Sequence, residues 1–125
     1  MKKVSLLALS LFFIATFFFG CKKKDSTNPL YPYQAEVLGK NSDCGIYEIK
    51  ITKGLQDVKK IVGTSVGNSI YIAENLPHSL QKSGLKIVLD IRKPKSNELG
   101  LCTAVGPSYT WLYVVRAKKA DQAEK

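Results

Sequence analysis

Few side chains in this 125-residue sequence have the types and spacings that carry out reactions. The single histidine, His78, stands beside Ser79, and a Ser/His/Asp relay would also have to recruit Asp90. Residues one position apart on a helix point in different directions, and no nucleophile elbow surrounds any serine, so His78 reads as a residue at the start of a helix. Cys44, Cys102 and His78 are dispersed without a C-x-x-C pair, and Asp43 reads as a turn residue, so no metal site is expected. The ten acidic residues form no pair suited to general acid and base work. Gly63 and Gly67 share a loop that lacks the Gly-Lys-Ser/Thr ending of a phosphate cradle. These residues predict no catalytic group, no cofactor and no enzymatic activity. Aromatic chemistry remains: Tyr47, Tyr71, Trp111 and Tyr113, with Lys50 and Arg92, form a candidate ligand face on which sugar rings or bases would stack. The alternative for the same tyrosines is core and rim packing.

The strongest pattern lies at the N-terminus. Lys2 and Lys3 precede an apolar run over residues 4–19, which stops at Gly20-Cys21 and is followed at once by Lys22, Lys23 and Lys24. A positive start, an apolar middle and a small residue at the end form the layout of an export signal. With a cysteine directly after the small residue, this stretch resembles the signal of a bacterial lipoprotein. Gly20 and Cys21 match that family's lipobox, whereas Phe18 and Phe19 replace its usual Leu and small or aliphatic residue. The resemblance implies cleavage before Cys21 and attachment of lipid to the Cys21 sulfur and new amino group. The expected location is the cell envelope, with the domain outside the cytoplasm and the outer membrane as the expected site. An uncleaved transmembrane helix is the alternative, although the run is shorter than the ~20 residues a span needs. Lys2 and Lys3 would then hold the N-terminus inside and still leave the domain outside.

With residues 1–20 removed and Cys21 given to lipid, Cys44 and Cys102 remain, and an even pair in a small exported domain predicts a disulfide. Two free thiols are the alternative. Loss of Lys2 and Lys3 lowers the formal charge of +9 by two and leaves a basic domain. Such a surplus suits anionic surfaces, phospholipid headgroups or acidic polymers among them, or serves solubility alone. Nucleic acid is not expected for an exported protein. Residues 21–32, charged, then polar, then broken by Pro29 and Pro32, read as a tether.

The elements that must position any site begin at Tyr33. Alternation predicts a strand over residues 33–40, a turn at Asn41-Ser42-Asp43, and a second strand with Tyr47, Ile49 and Ile51 on one face. Residues 57–62 are ambiguous between strand and helical turn, and with residues 69–73 they read as a hairpin or a bent strand. A short helix is predicted over residues 75–84, started by Pro77 and ended by Gly84. The cleanest period-2 run is 85–92, and Pro94 marks an exposed loop after it. Residues 98–105, with Cys102, read as a short strand or bend, and residues 106–108 as a turn. The last strand, 109–117, is apolar on both faces and should be buried on both sides. Residues 118–125 read as a charged, solvated tail.

This order predicts a mainly β domain over residues 33–117, a five-stranded closed or half-open barrel with one short helix between strands 3 and 4. The order is similar to that of an OB-fold. A two-sheet sandwich is the alternative. The expected role is that of a lipid-anchored, non-enzymatic accessory or binding module for another envelope component. The alternative role is an OB-like module that holds an anionic or sugar polymer on an aromatic and basic face.

Overall fold

The computed structural model describes residues 28–102 and 108–121. Five strands close into a barrel: β1 (Tyr33–Lys40), β2 (Tyr47–Lys53), β3 (Ile70–Glu74), β4 (Lys86–Arg92) and β5 (Trp111–Lys119), in the circular order β1-β2-β3-β5-β4. All neighbours are antiparallel except β3 and β5, which run parallel with Ile72 opposite Trp111 and Glu74 opposite Tyr113. The barrel is the OB-like one that the alternation predicts, and the sandwich is not formed. Inward positions fill the core: Val37, Ile49, Tyr71, Ile87, Leu89 and Leu112 are each 0% exposed. The pairing places the β1–β2 and β3–β4 connections at one end of the barrel. The β2–β3 and β4–β5 connections, and the first described residues, lie at the other.

The helices differ from expectation. The ambiguous stretch is an α-helix, α1 (Leu55–Val62), between β2 and β3. Leu55, Val58 and Val62 share one helical face, and Val58 is buried while Gln56, Asp57 and Lys60 are exposed. Counting from Asp57 leaves out Leu55, and with it the spacing of three and seven that identifies the helix. Gly54 makes the corner into α1 at φ 87°, a left-handed conformation that glycine adopts without a Cβ penalty. An added Cβ there would lie 2.5 Å from Cδ1 of Tyr33. The segment expected to be the helix makes only one 3-10 turn, His78–Leu80, between β3 and β4. Leu76 and Leu80 are buried as they close that end of the barrel. Lys82 to Leu85 then turns the chain into β4 through Gly84 at φ 83°.

The last strand also departs from expectation. Only Leu112 and Val114 of β5 are buried, Trp111 and Tyr113 are half-buried, and Val115 is 40% exposed, so the strand is not covered on both sides. It runs on through Lys118 and Lys119, which belong to the barrel and not to a tail. A β-bulge explains both facts. Val114 opposes Ile91 and Arg116 opposes Asp90, which leaves Val115 as the extra residue. Past the bulge the alternation is reset, so Ala117 packs on the core while Arg116 and Lys118 are exposed. The predicted signal peptide, Cys21, the first part of the tether, most of the predicted turn at 106–108 and the last four residues lie outside the described residues.

Candidate functional site

The β4–β5 connection leaves the barrel at one end and climbs its outside to meet the β1–β2 turn at the other. Three interactions hold this strap. At its start, Arg92 donates from Nη1 and Nη2 to Oε1 and Oε2 of Glu98 at 2.8 and 2.6 Å. The same guanidinium stacks 3.7 Å from the centre of the Tyr113 ring. These paired hydrogen bonds from Arg92, with the Lys95 backbone N–H at 2.7 Å, hold the Glu98 carboxyl down at about 2, and they raise the Arg92 guanidinium in turn.

Midway, Gly100 lies against Trp111: an added Cβ would sit 3.0 Å from Cη2 of the indole and 3.4 Å from Cδ1 of Ile46. Ile72, the register partner of Trp111, points away from the core that Tyr71 and Ala73 enter, yet is only 2% exposed. This side of the barrel is therefore covered, and glycine at position 100 lets the backbone approach closely enough to cover it. At its far end the strap is closed by a disulfide between Cys44 and Cys102, whose Cα atoms are 4.4 Å apart. Cys44 is presented by an Asn41 turn. The Asn41 Oδ1 accepts the backbone N–H groups of Asp43 and Cys44 at 2.9 and 3.0 Å, and its Nδ2 donates to Glu48 at 2.6 Å. Asn41 is 6% exposed, and this pairing offsets the cost of burying its amide.

The six residues of the predicted ligand face do not share one surface. Tyr71 is a core residue: it is 0% exposed, and its hydroxyl donates to the Gly63 carbonyl at 3.0 Å. Burial pushes its hydroxyl up from the ordinary 10.0. Tyr47 points inward at the barrel end, packs on the core, and has the Lys40 ammonium 5.9 Å from its ring centre. Trp111 and Tyr113 do share the outer side of β5, under Gly100 and Arg92 respectively. Lys50 is exposed on the outer side of β2. The structure brings Arg92, Tyr113 and Trp111 together and leaves the other three apart.

No family model, curated protein or solved structure matches this chain. Its site must be judged by geometry alone. Beside Tyr47 an open cleft of ≈ 300 Å³ is lined by Lys40, Glu74, Asn75 and Gln81 among others. Asn75 and Gln81 already donate to the backbone oxygens of Val114 and Leu76. His78 is exposed on the 3-10 turn, at the opposite end of the barrel from Asp90, whose carboxylate accepts the Ile91 N–H at 2.9 Å. Among the described residues no three His, Cys, Asp or Glu side chains cluster as metal ligands, and no helix is long and apolar enough to cross a membrane.

The strap displays apolar side chains to solvent. Leu99 is 49% exposed and Leu101 is 96% exposed, one on each side of the glycine that holds the strap down. Val66, 78% exposed, lies in the neighbouring Ser65–Asn68 turn, which Thr110 ties to the base of β5 through the Ser65 Oγ at 3.0 Å. Sequence reasoning missed these three. The available signal was a leucine pair set around a glycine, in a loop too polar elsewhere to bury it.

Proposed function

We propose that this chain is a lipid-anchored accessory module of the cell envelope, held by Cys21 and engaging another envelope protein through the strap. The observation that carries the reading is the exposure of Leu99 and Leu101 on a loop fixed at both ends. Ordering a loop in advance removes part of the entropy cost of binding, and exposed apolar side chains on such a loop supply area that becomes favourable once covered. The layout Gly20-Cys21-Lys22 supports the anchor. A photo-crosslinking residue at position 101, introduced in intact cells, should give one discrete adduct that Leu99→Asp abolishes, while the same probe at Lys50 gives none. Equal adducts from both positions, or none from position 101, would remove the reading. The anchor is tested separately: Cys21→Ala should release the protein from the membrane pellet or stall its maturation.

The second reading, a module for an anionic or sugar polymer, draws on Trp111 and Tyr113 side by side on the outer side of β5. It ranks lower because Gly100 and Arg92 already occupy the surfaces that a ligand ring would need. Titration at low ionic strength that finds no binding would end it.

A further inference from the structure

The side of the barrel away from the strap, formed by β1, β4 and the second half of β5, has no part in the proposed protein contact. Here the bulge at Val115 turns Arg116 and Lys118 outward. The register sets Lys118 opposite Val88 and Arg116 opposite Asp90, while Lys86 sits on the same outward side of β4. Lys82 and Lys119 continue the strip onto the adjacent rim, and all five cations are exposed. Glu36 opposite Lys86 and Asp90 opposite Arg116 are the acids that face it, so cations remain in excess.

A second observation locates this side relative to the chain that precedes it. The Lys118 ammonium sits 4.9 Å from the centre of the Tyr31 ring, so the first described residues lie against the basic strip and not against the strap. Cys21 is ten positions before Tyr31, a reach of at most about 35 Å for extended chain, and Lys22, Lys23 and Lys24 stand directly after it.

We infer that this β1–β4–β5 side is a docking surface for an anionic phospholipid bilayer, set down on the headgroups so that the strap faces away from the membrane. The proposal rests on the anchored reading for its orientation. Each cation held near an anionic surface strengthens the contact, and salt weakens it within a Debye length. The cations are placed so that one anchored molecule can engage several of them at once, at the high local concentration that a short tether gives.

The test is lysine footprinting of the full protein as the cell makes it, using a water-soluble amine-acetylating reagent and mass spectrometry. Labelling is compared without vesicles, with phosphatidylcholine vesicles, and with phosphatidylglycerol-rich vesicles. With the anionic vesicles, Lys82, Lys86, Lys118 and Lys119 should each label about fivefold more slowly than without vesicles, and this protection should vanish at high salt. Lys60 on α1 and Lys95 on the strap, both exposed and away from this surface, should label at unchanged rates. Uniform labelling of all six lysines would overturn the proposal. So would equal protection on neutral vesicles, or protection that rises with protein concentration when no lipid is present, which would assign the strip to a second copy of the chain. Sedimentation of Cys21→Ala reads the anchor independently. A variant that is processed to mature length and still pellets at high salt sinks the anchored reading, and the footprint still decides the basic surface.

Discussion

The Asn41 carboxamide oxygen accepts the backbone N–H of Cys44 at 3.0 Å, so one buried side chain fixes the half-cystine that closes the strap. Asn41→Ala removes that acceptor and leaves the Asp43 and Cys44 N–H groups and the Glu48 carboxylate to find other partners. Leaving such partly buried groups unpaired is expected to cost about 2 kcal/mol. Urea unfolding of the variant should show a lower midpoint with an unchanged slope. Asn41→Asp, which keeps the acceptor but places a second carboxylate beside Glu48, should fall between the two.

The Cys44–Cys102 disulfide spans 58 residues of sequence, a loop that holds β2, β3 and β4. Closing a loop of that length restricts the unfolded chain by about 4 kcal/mol in the chain-entropy model. Unfolding measured with and without dithiothreitol should differ by that order. Thiol labelling of unfolded protein should find both sulfhydryls only after reduction. Two reactive thiols before reduction would remove the bridge from the account of stability.

Glu98 sets the acid limit of strap stability. Its carboxyl is held at about 2 in the folded protein, against 4.5 ordinarily, chiefly by the hydrogen bonds from Arg92. For a depressed acid, the stabilisation is complete above the unfolded value and drains away as pH falls toward the folded one. Thermal midpoints of the native protein should therefore decline between about pH 4.5 and pH 2, and Glu98→Gln should flatten that limb. On the alkaline side, burial pushes the Tyr33 and Tyr71 hydroxyls above 10.0, so stability present below that pH should fall as pH rises past it. Tyr71→Phe should blunt the alkaline loss.

Val115 illustrates how one extra residue decides which side chains meet water. Pairing Val115 in register with Asp90 would turn Arg116 and Lys118 toward the core; deleting Val115 instead joins Val114 to Arg116 in the existing register, keeps Ala117 inward and Arg116 and Lys118 outward, and should be tolerated within about 1 kcal/mol. Val115→Thr, at an exposed position, should stay within about 0.5 kcal/mol of the native protein. Circular dichroism should show a cooperative melt for both the substitution and the deletion.

That bulge also marks where the sequence stops being legible. Strands with one wet side, such as 33–40 and 47–53, announce themselves by alternation, because the pleat sends successive side chains to opposite faces. Trp111-Leu112-Tyr113-Val114-Val115 has no polar residue to break the run, so it reads as doubly buried, whereas Gly100 and Arg92 cover its outer side only in part, over Trp111 and Tyr113, and Val115 stays exposed. The α1 helix is hidden for a different reason. Its eight residues carry only one fully buried side chain, Val58, so the apolar spacing is spread thinly. For the candidate site, the cysteine pair is visible as an even number in a small domain, whereas the Arg92–Glu98 bridge depends on how a loop folds back. The aromatic set failed as a single face because Tyr71, on alternating β3, takes the inward position opposite Ile49.

Closure of the sheet on itself has a consequence for any encounter this protein makes. Every one of the five strands already has a neighbour on both flanks. A sheet without open borders offers no template that an extended peptide, or another molecule of the same kind, can prolong by main-chain pairing. Recognition is left to side chains and to the shape of what they cover, and template-driven stacking into fibrils has no place to begin while the circle stays shut.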